Sequence, residues 1–273
     1  KLKISRGMIN KLCREFSSKT ETERKKIFAD LLSCPVLHTD CTNARVNGES
    51  AYVFVCASPD EEKVLYFARE KKGHEGVKGT VTEDFRGILV HDHEITFYRY
   101  GSAHQECLAH VERYLKDSME NESSLTWNRR MRELLQRMIH YRKEHTGEAS
   151  LDAQTVAGFE TEYQEILDKA KEEYKRNEPS PYYREGYNLY RRMQEYKTEH
   201  LLFLHDMRVP TTNNTAERCL RDYKRKQTFA MTFRSLESIE ELCHSKGVLL
   251  EVRKNNPNIY TAVMEIFNRR YGA

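Results

Sequence analysis

Over residues 120–205 the sequence carries no strand signal, although the segments before it read as strands joined by tight turns. Apolar residues recur there at helical spacing: Met131, Leu134, Leu135, Met138 and Ile139 in one stretch, Val156, Phe159, Tyr163, Ile166, Leu167, Ala170 and Tyr174 in the next, and Tyr190, Met193, Leu201 and Leu204 in a third. NEPSPYY (177–183) supplies the main turn, so about three helices are expected. A wholly helical block set inside a strand-bearing chain points to the α/β class with an all-helical insertion.

The flanking segments read as follows. Residues 1–32 are helical, with Ile4, Met8, Leu12 and Phe16 at spacing four and Ile27, Leu31 and Leu32 closing a second short stretch. Pro35 ends that helix, and Val36–Thr39 leads as a strand to Asp40. Asn47-Gly48 signals a hairpin into AYVFVCAS (51–58), and KVLYFARE (63–70) adds a third strand, giving an antiparallel meander. A short helix is expected within 71–86. GILVHD (87–92) is an apolar run ending on an acid, the pattern of a buried strand whose carboxyl end opens into a site. ITFYRYG (95–101) follows, and then a helix over 104–119 with Cys107, Val111, Tyr114 and Leu115 on one face. After polar turn residues, a helix begins at Asn214, and two more run through Leu236, Ile239 and Leu242 and through Ile259, Val263, Ile266 and Phe267. The expected organisation is an N-terminal helical segment (1–32), a first core part (33–119), the helical insertion (120–205) and a second core part (206–273).

Composition narrows the function classes. Forty-five Lys and Arg against 42 Asp and Glu leave a net charge of +3, too mild to prove a nucleic-acid partner, so the placement of the cations decides. Seven cysteines, an odd number with no Cys-x-x-Cys pair, argue for reduced thiols over a disulfide framework or a zinc ribbon. No apolar run approaches the ~18 residues that span a bilayer. The longest comparable stretch, Tyr52–Ala57, is strand-length, and the N-terminal KLKISRGMIN has no secretory apolar region. A cytoplasmic chain without a membrane partner is expected.

Three acids stand out. Asp40 and Asp92 each end an apolar strand, 52 residues apart. If those strands are neighbours, the two carboxylates meet at one sheet edge, where both remain ionised only with a cation between them. Oxygen donors of this kind suit Mg2+ or Mn2+. A pair of such ions ~3.5–4 Å apart clamps the attacking and leaving oxygens of a phosphoryl displacement. A capping or turn aspartate is the alternative for each residue taken alone. Glu217, three residues after Asn214, fits a capping box. It also shares a helical face with Arg221 and Arg225. That face is either a solvated ion-pair ladder or an acid reaching a metal with guanidinium groups beyond it gripping phosphates. Cys107 and His110 share a helical face, but zinc needs two further ligands and no matching pair stands nearby in the sequence. His38, His91 and His93 flank the aspartates as candidate metal ligands or proton shuttles, or as solvent-facing or hydrogen-bonded side chains.

Taken in order, VLHTDCTNARVNG, FRGILVHDHEITFYRYGSAHQECLAHVERYL and RVPTTNNTAERCLRDYKRK resemble the catalytic domain of transposases of the insertion-sequence-66 type, over roughly residues 1–270. The most specific pieces are Cys107-Leu-Ala-His110-x-x-Arg113 and Asn213-Asn214-x-x-Glu217-Arg218-x-x-Arg221. The resemblance implies a ribonuclease-H-like five-stranded mixed sheet with flanking helices, the helical insertion falling between the second and third acids. It implies a DDE triad of Asp40, Asp92 and Glu217 holding Mg2+, with Mn2+ as substitute and two ions in all. Cys107, His110, Arg113, Asn213 and Asn214 become supporting residues around the site. Arg218, Arg221, Lys224, Arg225 and Lys226 become phosphate contacts. The implied activity is cleavage and joining of DNA at transposon ends, in a homodimer or larger synaptic complex, with accessory proteins of the same element and a nucleoid location. Sequence-specific end recognition is expected on the family's helix-turn-helix and zinc-binding regions, which these residues do not contain. Two positions depart from the family pattern: Cys41 stands where Asp-Glu-Thr is usual, and Thr212 where Asp-Asn-Asn is usual. A same-fold nuclease that cuts without joining, and a DNA-binding copy that no longer cuts, are the alternatives.

Overall fold

The computed structural model describes residues 5–230 and 233–269, with the side chains of Arg6, Lys226, Phe229 and Ala230 outside the description. Ile4, assigned above to the first helix, lies outside it too. The chain divides into two compact units, Lys1–Leu89 with Glu94–Ser102 and Asn214–Ala273, and Val90–His93 with Ala103–Asn213.

In the first unit, helices α1 (Arg6–Lys19) and α2 (Glu21–Ser33) precede strands β1 (Val36–Val46), β2 (Glu49–Ala57) and β3 (Val64–Arg69). Ser5 caps α1 by accepting the Met8 N–H. The β1–β2 turn falls on Asn47 and Gly48, with φ of 49° and 89°. That left-handed pair matches the twist of the flanking strands. β1 and β2 are antiparallel, with Asp40 opposite Val55, and β2 and β3 are antiparallel, with Val55 opposite Tyr66. Short helices α3 (Gly73–Val77) and α4 (Val81–Asp84) lead to β4 (Ile88–His91).

Side chains alternate across a strand, so the meander has two apolar faces. Ala44, Val53, Val55 and Tyr66 meet Ala216, Leu220 and Tyr223 of α10 (Asn214–Ala230) and Ile239 and Cys243 of α11 (Leu236–Asn255). Leu37, Cys56 and Leu65 meet Phe16, Ile27, Leu31, Phe85 and Ile266, the last on α12 (Ile259–Asn268).

The second unit starts within β4. β5 (Ala103–Glu106) completes a five-stranded mixed sheet of order β3-β2-β1-β4-β5. Helices α5 (Leu108–Asn121), α6 (Trp127–Glu144), α7 (Ala153–Arg176), α8 (Glu185–Glu195) and α9 (Lys197–His205) follow. Glu173 of α7 accepts the N–H groups of Thr126 and Trp127 at 2.9 and 3.1 Å, satisfying donors that a helix start leaves unpaired and placing negative charge there. Trp127 is fully buried, 6.1 Å from the Tyr174 ring and 6.0 Å from that of Tyr190. At Gly186 a Cβ would stand 1.7 Å from Glu122 Oε2, so only glycine lets α8 pass this close to the end of α5.

Four readings change. Residues 103–106 form strand β5 rather than the start of a helix, because the Cys107 N–H donates to the His91 carbonyl at 3.0 Å and the helix can begin only afterwards. Tyr114, placed on the buried face of that helix, is 43% exposed. Met8 and Leu12 do not share Phe16's burial, at 50% and 40% exposure. The 120–205 block holds four helices, α6–α9, because the chain leaves helical geometry at Tyr196 (φ −111°, ψ 35°) and splits the third apolar stretch in two. Ile95–Arg99 is a 3-10 turn.

Replacing Trp127 with Ala is expected to cost about 3–5 kcal/mol, the range for a fully buried large aromatic. Urea denaturation measures this; a loss below ~1 kcal/mol would remove Trp127 as the anchor of the helical block.

Candidate functional site

In the first unit, Asp40, expected to end a strand, lies in the middle of β1, because pairing with β2 continues to Val46, and it accepts the Cys41 N–H at 2.7 Å. By strand alternation it shares a face with Ala44, which packs in the cluster containing Ala216 and Leu220 of α10. Cys41 points to the opposite face, against the cluster of Phe54, Val77 and Phe97. Glu217 sits in the first turn of α10, on the face of the sheet that Asp40 shares. Its carboxylate accepts from Arg221 Nη2 at 3.2 Å.

The guanidinium groups of Arg218, Arg221 and Arg225 on α10 are paired with acids of their own unit. Arg218 Nε donates to Glu61 at 2.8 Å, and Arg225 stands 3.5 Å from Asp222. Lys224 is exposed. Lys226 belongs to α10, and its side chain lies outside the described residues. Exposed pairs of this sort contribute little to stability and exchange readily for another anion.

In the second unit, Asp92 follows the carboxyl end of β4. Its Oδ1 is buried without an aligned hydrogen-bond donor, and the His110 Nδ1 stands 3.0 Å away. The Asp92 carboxylate, and then the Cys107 sulfur, raise the His110 imidazole to about 10, so it is an imidazolium at neutral pH. Asp92, Cys107 and His110 each offer a ligand atom, all within 4.8 Å of one another. Cys107 is buried at the start of α5 and its sulfur accepts the Asn213 N–H at 3.2 Å. Together with the Leu108 N–H donated to the Thr211 carbonyl at 3.0 Å, this docks residues 211–213 on α5. Asn213 is fully buried; Asn214 and Arg113 are exposed.

A divalent cation fits these donors. A buried carboxylate oxygen without an aligned donor is the kind of group that a cation satisfies. The thiol beside it is a softer donor, which favours zinc-like ions where it ligates directly; the His110 imidazolium offers a lone pair only after losing a proton.

His91, His93 and His104 have polar partners at hydrogen-bond distance. His91 contacts the Asp92 carbonyl and His104, the latter at 3.2 Å. Burial, then the neighbouring His91, depresses His104 to about 4. His93 Nδ1 lies 2.8 Å from Glu106 Oε1. His38 is buried in β1.

Glu106, which pattern reading left inside a helix, is the central charge of this unit. It is fully buried at the end of β5, where Arg192 Nε of α8 donates to it at 2.9 Å and His200 Nε2 of α9 stands 3.3 Å away. His200 also contacts the buried Tyr163 hydroxyl of α7 at 3.0 Å. Burial alone would raise the Glu106 carboxyl. Hydrogen bonds from His200 and His93 and the charges of His200 and Arg192 override it and hold the group far below the usual carboxylate range. No single spacing joins positions 93, 106, 192 and 200; a charged residue within the apolar period of the block, Arg192 beside Met193, was the one available signal.

A family model described as the transposase IS66 family matches residues 1–241. A search of curated proteins returns no match. Among the described residues no helix is long and apolar enough to cross a membrane.

Glu106→Gln is expected to cost about 3–5 kcal/mol by leaving buried cationic partners uncompensated. Because the folded-state value is depressed, the stabilisation is complete above the unfolded value near 4.3. It is lost by ~1.4 kcal/mol per pH unit as pH falls below that. Chemical denaturation between pH 3 and 7 should show wild type and variant converging toward acid; parallel curves would show that the carboxylate is not the group responsible.

Proposed function

The chain belongs to the transposase IS66 family, and on that premise we propose that it carries out metal-dependent cleavage of DNA at transposon ends and joins the freed ends to target DNA, with Asp40, Asp92 and Glu217 as the acids that hold the ions. Membership makes it a DNA-processing enzyme and DNA its partner. We assign β1–β5 as a ribonuclease-H-like core and α6–α9 as the insertion between the second and third acids. A homodimer or larger synaptic complex, aided by accessory proteins, is part of the same reading.

The observation that carries it is the buried Asp92 Oδ1 at the carboxyl end of β4, which has no aligned hydrogen bond and belongs to a carboxylate with a ligand atom within 4.8 Å of those of Cys107 and His110. Asp40 and the first turn of α10 on one face of the meander support it from the other unit. Two magnesium ions, or manganese in their place, would supply Lewis-acid polarisation and a more acidic water. The remaining work falls to the chain. Cleavage and joining are both in-line displacements at phosphorus, first by water and then by a 3′-hydroxyl, so one set of carboxylates serves both. His110 keeps its proton at Nδ1 facing Asp92 and holds that carboxylate in orientation. Cys107 fixes the segment that leads into α10. Arg218, Arg221 and Arg225 exchange their acidic partners for DNA phosphates, and Lys224 and Lys226 add charge beside them.

The departure at Cys41 favours an active enzyme over a relic. Its side chain lies on the face opposite Asp40, packed against Phe54, Val77 and Phe97. Losing a carboxylate there removes no donor from the face that Asp40 occupies. Thr212 lies between two residues docked on α5, Thr211 and Asn213, whose contacts run through backbone atoms of this segment.

Asp92→Asn is expected to lower DNA cleavage by about three orders of magnitude or more, several kcal/mol of transition-state stabilisation, while leaving DNA affinity near wild type. Calorimetry with Mn2+ should show binding that an Asp40→Asn, Asp92→Asn double variant loses. Metal binding that survives in the double variant, with DNA present or absent, would sink the assignment.

A further inference from the structure

A pocket of about 490 Å³ opens between α7 and α8. Lys171 and Lys175 enter it from α7, Arg184 from the turn before α8, and Arg191 from α8, and all four are exposed. No carboxylate lines it. Glu172 stands 2.6 Å from Lys175 in an exposed pair. The floor is aromatic. The Tyr187 ring stands 5.1 Å from Tyr174 and 5.9 Å from Tyr190. Tyr174 and Tyr190 are buried, at 6% and 4%, and the Tyr174 hydroxyl is tied to Glu122 at 3.1 Å. Tyr187 is therefore held by two immobile rings while remaining partly exposed itself. The packing leaves a rigid ring face beside four exposed positive charges, of which Lys175 has an exposed partner in Glu172.

We propose that this pocket is a second DNA-contact site, seating strand phosphates on Lys171, Lys175, Arg184 and Arg191 and an unstacked base or sugar against Tyr187. The proposal rests on the transposase reading and adds to it, because the phosphate contacts assigned there all lie on α10. Cations that track the backbone, joined to an aromatic face that every base can stack on, are the shared physics of single-strand recognition. Lys171 and Lys175, four residues apart, lie ~6 Å apart along the helix axis, near two rises of ~3.4 Å of one strand along a duplex axis. A small phosphorylated molecule shares the phosphate chemistry, and competition by inorganic phosphate or a mononucleotide tells it apart.

The test is fluorescence anisotropy with labelled single-stranded and duplex DNA over a range of salt. It compares the whole chain with a Lys171→Ala, Lys175→Ala, Arg184→Ala, Arg191→Ala variant and with Tyr187→Ala and Tyr187→Phe. The quadruple variant should bind at least ~10-fold more weakly, and its salt slope should fall by about 3, near 0.9 for each lost phosphate contact on duplex and ~0.7 on single strands. Tyr187→Ala should weaken single-strand binding about tenfold and Tyr187→Phe should restore it, which a purely structural role of the hydroxyl would not do. All substituted cations are exposed, and thermal melting checks that the variants fold. Unchanged affinity and slope in the quadruple variant overturn the proposal. So does full competition by millimolar inorganic phosphate or a mononucleotide, which would mark a small-molecule site. If the parent chain binds no DNA at all, the failure belongs to the functional reading beneath it.

Discussion

The Glu106 carboxylate is the interaction on which the second unit depends. A fully buried ion is unfavourable unless its charge is compensated at close range. Here the compensation is spread over three elements: His93 beside Asp92, Arg192 on α8 and His200 on α9. Each partner restricts the others, because moving any one of them would leave the carboxylate short of a donor. Polar networks of this kind are costly when incomplete and specific when complete. The end of β4, where Asp92 sits, is thereby tied to helices that lie 100 residues further along the chain.

Strand alternation does comparable work in the first unit. One face of β1–β3 receives α10 and α11, and the other receives α1, α2, α4 and α12. Asp40 and Cys41, adjacent in sequence, are directed to opposite sides by that rule. The consequence is chemical: the acid stays on the side where α10 begins, and the cysteine becomes part of an apolar cluster. A substitution next to a candidate catalytic residue is thus neutral or harmful according to a parity of one.

The basic residues of α10 illustrate a different constraint. Each guanidinium described there has an acid of its own unit within reach: Glu61, Glu217 or Asp222. These pairs are exposed, so water screens them and a phosphate can replace the carboxylate at small cost. The same residues serve as surface ion pairs in the chain alone and as phosphate contacts in the proposed complex. Their charge keeps both roles open; their exposure makes exchange easy.

Local pattern was enough for much of this. The Asn47-Gly48 turn, the three-strand meander, the strand ending at Asp92, and the helices starting near Asn214, Leu236 and Ile259 all follow from short-range rules of turn chemistry and apolar period. Asp92 and Glu217 were legible as strand-end and helix-start acids, whereas Asp40, read as a strand end, lies within β1; motif order pointed to the family, which the match over residues 1–241 supports. Strand β5 was not legible, because AHQE is polar and its pairing is decided by the neighbouring strand rather than by its own composition. Nor was the break at Tyr196, which no Gly or Pro marks. The Glu106 network lay beyond reach for the same reason: its members are separated by up to 107 positions, from His93 to His200, and only packing brings them within hydrogen-bond distance. Periodicity reports which face of an element is buried; it carries no information about which distant charge will be buried against it.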